Sequence, residues 1–295
     1  MKEVAIYRLE NEVLSVGIKS IGAELCSIEN TLTKTEYIWQ GAPEFWNSHA
    51  PILFPVIGAL KNDSYTFEGQ KYAMPKHGFF RNNENIILNK KENNKIVFSL
   101  KYSEDTLKIY PFKFELEVSF ILKGKSLTIK HEVYNLDPHP IYFSIGGHPA
   151  FNAPLFPGEI YEDYFLEFDH DMDLTTAVLT KDGLISNASE KVLKNEDKIH
   201  LRKDLFDNDA LIFQDIPSKN VSLISKHSGK ILSVEYQDFE NLGIWAKPNA
   251  PYVCIEPWLG IADFEDTDQD LKNKKGINKL MPTQSFSASY TIEIA

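Results

Sequence analysis

The residues best suited to proton transfer lie in three short stretches. In Ser144-Ile145-Gly146-Gly147-His148-Pro149-Ala150-Phe151, one imidazole follows two glycines and precedes a proline. Glycine permits backbone angles that a side chain forbids. Pro149 fixes its own φ and holds His148 to extended geometry. The pattern predicts a strand, led in by Ile141-Tyr142-Phe143, that stops sharply and presents an imidazole at its end. Histidine titrates nearest neutrality and so suits acid–base work, although a stiff turn also holds histidines for structural reasons. In Tyr252-Val253-Cys254-Ile255-Glu256-Pro257-Trp258, strand alternation puts Glu256 on one face with Cys254 and Tyr252 and turns Val253 and Ile255 the other way. Pro257 is expected to end the ladder. A carboxylate at the end of an apolar strand either pairs with a cation or has a raised pKa and acts as a base. Trp258 beside it offers an apolar ring for stacking. The third stretch, Pro75-Lys76-His77-Gly78-Phe79-Phe80-Arg81, sets a histidine four residues before an arginine. It reads as a loop that presents polar groups, or as a plain surface turn.

The chain around these stretches has 295 residues, 43% hydrophobic and 25% charged, an ordinary balance for a globular protein. A net charge of -11, with both signs mixed along the chain, argues against a nucleic-acid partner. Cys26 and Cys254 are far apart and lack metal-ligand spacing, so they read as buried free thiols in a reducing compartment. Met1-Lys2-Glu3-Val4-Ala5-Ile6-Tyr7 lacks the apolar core of a signal peptide, and no apolar run is long enough to span a membrane. A cytoplasmic protein with no membrane partner is expected.

The elements that must hold these residues are strands. Val4 to Glu10 and Glu12 to Ile18 read as a hairpin, Gly22 to Ile28 as a third strand and Glu36 to Trp39 as a fourth. Pro51 and Pro55 flank Ile52-Leu53-Phe54 and exclude a helix interior. Ser64 to Phe67 and Gln70 to Ala73 flank Glu68-Gly69, a hairpin turn signal. Ser103 to Thr106 could open a short helix. Phe112 to Phe120 and Leu127 to Val133 alternate with period two around Lys123-Gly124. His131 falls on the apolar face and reads as a satisfied core histidine. Seven more strands are expected: Tyr164–Phe168, Ala177–Thr180, Ala210–Phe213, Val221–Ser225, Ile231–Tyr236, Leu242–Ala246 and Tyr252–Glu256. Polar loops separate them. Asp263 to Gly276 reads as a charged loop or helix, and Phe286 to Ile294 as the closing strand. With no linker and no repeat, residues 1–295 are expected to form one all-β domain, a large antiparallel β-sandwich with few short helices.

Taken together, His77-Gly78-Phe79-Phe80-Arg81, then Gly146-Gly147-His148-Pro149-Ala150-Phe151, then Glu256-Pro257-Trp258 resemble the aldose 1-epimerase (galactose mutarotase-like) family, in its LacX-like branch. The resemblance runs along nearly the whole chain, and the Gly-Gly-His-Pro-Ala-Phe element is its most specific piece. It implies a galactose mutarotase-like supersandwich that binds a small sugar on a concave face and interconverts α and β anomers. It also implies Glu256 as catalytic base, His148 as catalytic acid, and His77 near the ring oxygen. Arg81 and Asp209 would bind sugar hydroxyls, with Asp207 a close rival, and Trp258 would stack on the sugar. Mutarotation moves protons only, so neither a metal nor another cofactor is expected, and no metal-ligand cluster or phosphate-cradling loop is evident in the sequence.

Two alternatives use the same residues: a non-catalytic carbohydrate-binding protein on this fold, and a hexose-6-phosphate 1-epimerase. A glycoside hydrolase would usually need two carboxylates. In related sequences an arginine commonly follows the glycine of Phe-Pro-x-x-Gly, and in the phosphosugar branch it helps to bind the phosphate. Here Ala59 stands in its place, with Lys61 two residues further on. A neutral sugar is therefore expected, handled by a monomer or homodimer.

Overall fold

The computed structural model describes residues 4–295; Met1, Lys2 and Glu3, part of the stretch read for a leader, lie outside the described residues. Strands β1 (Ile6–Glu10), β2 (Leu14–Lys19) and β3 (Leu25–Asn30) form a small sheet. The short β4 (Ile52–Leu53) precedes a separate hairpin, β5 (Ser64–Phe67) and β6 (Gln70–Ala73). Next come β7 (Ile87–Lys91), β8 (Lys95–Lys101), β9 (Phe114–Lys123) and β10 (Ser126–Asn135). Three short strands follow: β11 (Ile141–Phe143), β12 (Ile145–Gly147) and β13 (Ala150–Asn152). The longest hairpin is β14 (Tyr164–Leu179) with β15 (Ile185–His200). The chain then forms β16 (Leu211–Phe213), β17 (Asn220–Ser225), β18 (Gly229–Glu235) and β19 (Asn241–Trp245). It closes with β20 (Tyr252–Leu259), β21 (Asn278–Leu280) and β22 (Ser285–Ile294).

Two large antiparallel sheets dominate. One has nine strands in the order β15-β14-β17-β18-β22-β10-β9-β8-β7; the other has six, in the order β16-β19-β20-β12-β4 with β13 also paired to β20. Phe114, Leu116, Val118 and Phe120 of the first share one buried core with Ile145, Val253 and Ile255 of the second. The result is a β-sandwich. Among the described residues the only α-helix is α1 (Glu104–Leu107), opened by the Ser103–Thr106 capping box. Among the described residues no helix is long and apolar enough to cross a membrane.

The alternating stretches behave as their pattern demands. β10 buries every second residue, and Leu127 and His131 pair with Leu122 and Val118 of β9. At the tip of the β5–β6 hairpin, Glu68 and Gly69 both have positive φ, 51° and 77°, as a two-residue turn of matching twist needs.

Three expectations change. Glu36 to Trp39 makes only isolated bridges, Glu29↔Glu36 and Ile38↔Phe151, rather than a strand. The polar segment expected as loop after Thr180 holds the 16-residue β15; it lies at the sheet edge, so few of its side chains are buried and no period shows. His131 is fully buried as expected, but neither ring nitrogen has a hydrogen-bond partner among the described residues, so it is a core histidine that is not satisfied there. It packs against the rings of Tyr290 and Phe239, and burial alone lowers its pKa to about 4.

Candidate active site

Strand β20 is central in the six-stranded sheet, and all eight of its residues are buried. It does not end at Pro257: Leu242 pairs with Pro257 and Asn241 with Trp258. The proline is tolerated because of what lies on its other side. The Ile255 N–H donates to Pro149 O, so Pro257, two residues on, points its nitrogen the same way. There the neighbouring chain has left the ladder, between Gly146↔Trp258 and Ala150↔Cys254. Glu256 therefore projects from within a continuous strand and is only 1% exposed.

The gap in the neighbouring chain is the His148 segment. His148 and Pro149 bulge out between β12 and β13, and the His148 N–H is held by Pro51 O at 3.0 Å. The two glycines before it do not supply left-handed angles, since neither has positive φ. They supply space. A Cβ on Gly147 would lie 2.5 Å from the Tyr290 hydroxyl, and one on Gly146 2.6 Å from Pro257 O. The motif thus interrupts a strand rather than ending it, and its glycines let β12 press against β20 and β22.

His77 is built differently. Its φ is 67°, followed by Gly78 at 75°, where a Cβ would sit 2.1 Å from Phe54 O. Gly58 clamps the residue twice: the His77 N–H donates to Gly58 O at 3.0 Å, and the Gly58 N–H donates to His77 Nδ1 at 3.1 Å. Because Nδ1 accepts, the neutral ring carries its proton on Nε2. Burial holds its pKa well below the ordinary value, and His148, Lys76 and Arg81 add to the effect. Arg81 follows in a 3₁₀ turn (Phe80–Asn82), half-buried, its Nε without a hydrogen-bond partner among the described residues.

The fold brings these residues together. His148 Nε2 lies 3.2 Å from Glu256 Oε2, and the His77 ring meets the His148 ring edge to face at 5.7 Å. Burial raises Glu256 well above the usual carboxylate range. Asp209 adds to this, while Lys76, the Trp258 indole N–H and Arg81 oppose it. Burial also lowers His148 to about 3, and Arg81 pushes the same way. In both groups burial is the largest cause, and it disfavours the charged form.

A cavity of about 920 Å³ opens over the pair, lined by His77, Arg81, His148, Glu256 and Trp258. Asp207 and Asp209 both line it, and Asp209 is the one whose charge reaches Glu256. Trp258 is 4% exposed; Gly146 and Gly243 lie so close that a Cβ on either would meet its ring. The half-buried indoles facing the cavity are Trp46 and Trp245, which the sequence reading did not single out. It also passed over Lys76 and Lys181, both on the cavity wall. Lys76 stood inside the quoted motif; Trp46 stands in a polar loop without period, where only the Phe45-Trp46 doublet could have drawn notice. Lys61 lies elsewhere, its Nζ donating to Glu265 O at 2.7 Å.

One donor set for a metal ion emerges that the sequence spacing did not reveal. His148, Cys254 and Glu256 each bring a ligand atom within 4.8 Å of the others. An N, S, O set suits zinc in kind. However, Arg81 and Lys76 bear positively on this spot, and burial raises the Cys254 thiol well above its ordinary value. Both oppose a dication on a thiolate.

Comparisons with known proteins agree with the geometry. Residues 5–265 match the family model described as aldose 1-epimerase. The plasmid-encoded protein LacX of Lactococcus lactis subsp. lactis is 36% identical over 296 residues, covering 97% of this chain and 98% of that protein. A galactose mutarotase related enzyme of Lactobacillus acidophilus is 36% identical with a TM-score of 0.94, over 99% of this chain and 97% of that one. A galactose mutarotase-like protein of Lactobacillus casei ATCC 334 is 29% identical with a TM-score of 0.92, over 99% of this chain and 100% of that one.

Proposed function

The chain belongs to the aldose 1-epimerase family, and from that premise we propose that it is a mutarotase, interconverting the α and β anomers of a neutral aldose with Glu256 and His148 as its acid–base pair. The observation that carries this is the 3.2 Å contact between His148 Nε2 and Glu256 Oε2 on the wall of the cavity. Ring opening removes a proton from the anomeric hydroxyl and delivers one to the ring oxygen. The pair begins and ends with a single proton, so no net charge enters or leaves the site. For opening, the shared proton crosses from Glu256 to His148 along their contact. The carboxylate then takes the anomeric proton while the imidazolium protonates the ring oxygen and the C1–O bond breaks. After rotation about C1–C2, Glu256 returns a proton to the carbonyl oxygen and His148 receives the hydroxyl proton as the ring closes.

His77 donates a hydrogen bond from Nε2 near the ring oxygen. Arg81 and Asp209 hold hydroxyls. Free thiols at Cys26 and Cys254 suit a cytoplasmic enzyme. Saturation-transfer NMR or polarimetry on a panel of aldoses tests the proposal. The expected result is saturable anomerisation faster than the spontaneous rate for at least one neutral aldose. Binding without acceleration across the panel would overturn it in favour of a carbohydrate-binding protein.

A further inference from the structure

Catalytic histidines are commonly oriented by a hydrogen bond on the nitrogen that does not react. His148 lacks one. Its Nδ1 is buried and has no partner among the described residues. What holds the ring is packing: the Trp46 indole lies stacked on it, with centroids 4.8 Å apart and planes at 29°, while Trp245 meets it perpendicularly at 5.9 Å. Trp46 is itself held firmly. Its carbonyl accepts the Ala42 N–H and the Trp39 indole N–H, closing a tight turn. Just beyond, Glu24 takes the N–H groups of His49 and Ala50 and pairs with Lys19 at 2.9 Å. A half-buried indole on a pinned loop, facing the cavity with one ring on the imidazole, is more than core filling.

Resting on the reading of His148 and Glu256 as the acid–base pair, we propose that Trp46 is the positioning residue of the reaction: its stacked ring holds the His148 imidazole in plane and stabilises the imidazolium that forms when the shared proton leaves Glu256. An aromatic face within about 6 Å of a cation attracts it through the ring quadrupole, and 4.8 Å falls inside that range. Arg81 and Lys76 repel an imidazolium here. Trp46 supplies compensation on the ring face.

Trp46→Leu should lower kcat roughly tenfold, the scale of one desolvated cation–π contact, with KM within about twofold because Arg81 and Asp209, the residues assigned to the sugar hydroxyls, are unchanged. Trp46→Phe should recover most of the loss. Site-specific replacement of Trp46 by mono-, di- and trifluorotryptophan keeps shape and fold while weakening the ring face, and kcat should fall step by step along the series. The pH at which the ¹⁵N shifts of the His148 imidazole report its protonation, read without sugar, should fall along the same series. That trend in a protein without mutarotase activity would uphold Trp46 and sink the acid–base reading. Flat kcat and an unmoved ¹⁵N titration in an active enzyme would overturn the proposal, as would a Trp46→Leu loss carried by KM.

Discussion

His77 and His148 meet edge to face at 5.7 Å, but one is held by the main chain and the other by side chains. Gly58 fixes His77 through Nδ1 and thereby fixes its tautomer. A second proton on that ring would break the bond, so His77 is a donor with one state. Among the described residues no hydrogen-bond partner reaches His148 Nδ1, Trp46 and Trp245 pack on its ring, and its Nε2 faces a carboxylate. Packing constrains the ring without choosing its protonation. The contrast teaches a division of labour: a hydrogen bond to the remote nitrogen suits a fixed polar contact, and stacking suits a ring that must gain and lose a proton within one turnover.

The sharpest way to break this division is to remove the partner that exchanges protons. Glu256→Gln keeps the shape of the site but leaves His148 with nothing to trade with. Turnover should fall by on the order of 10²-fold or more, the range of general-base catalysis, with little change in sugar affinity. Near wild-type rates by polarimetry would remove Glu256 from the mechanism.

The pH profile comes next. In the proposed mechanism, activity needs one proton on the pair. As pH falls, the pair gains a second proton when His148 titrates, at about 3. As pH rises, it loses its only proton when Glu256 ionises, above the usual carboxylate range. Between these limits the rate should be flat. An acid limb centred near the ordinary histidine value of 6.5 instead of about 3 would overturn the assignment of that limb. His148→Asn should cost on the order of 10²-fold and abolish the acid limb. His77 should behave otherwise: His77→Gln keeps a donor and should cost no more than about tenfold, the worth of one hydrogen bond, with the pH profile unmoved. A shifted limb in that variant would mean that both histidines trade protons.

The same split between main-chain and side-chain control decides what could be read from sequence. β9 and β10 were legible because one face of each is buried and residues alternate strictly. β15 was not: in 16 residues only Ile185, Leu193 and Ile199 are buried, so an edge strand wrote itself as a charged loop. The Gly-Gly-His-Pro motif announced a special backbone but not its kind, since glycines needed for close approach look the same as glycines needed for left-handed angles. Pro257 misled because its cost depends on a gap in a neighbouring segment more than a hundred residues earlier in the chain. Residue types alone nominated His148 and Glu256. Their contact, and the indole stacked across it, arise from three distant stretches that no local period connects.

The smallest effect is expected at the turn that clamps His77. Gly58, with a φ of 69°, is followed by Ala59, so the guanidinium that would grip a phosphate there is absent. Lys61 does not replace it, because its Nζ is engaged with Glu265 O and lies off the cavity. Lys76, Arg81 and Lys181 line the cavity, but Glu190, Asp207 and Asp209 line it too and offset their charge. Lysine also lacks the planar fork that binds phosphate bidentately. Glucose and galactose should therefore be anomerised with higher kcat/KM than glucose 6-phosphate under identical conditions, and Lys61→Ala should change neither figure. A clear preference for the phosphosugar would reverse this. Lys76→Ala and Lys181→Ala would then locate the charge: a loss in either, raising KM for the phosphosugar alone, would move phosphate recognition from the Gly58 turn to the far wall of the cavity. The clamp on His77 would be left with a purely positional role.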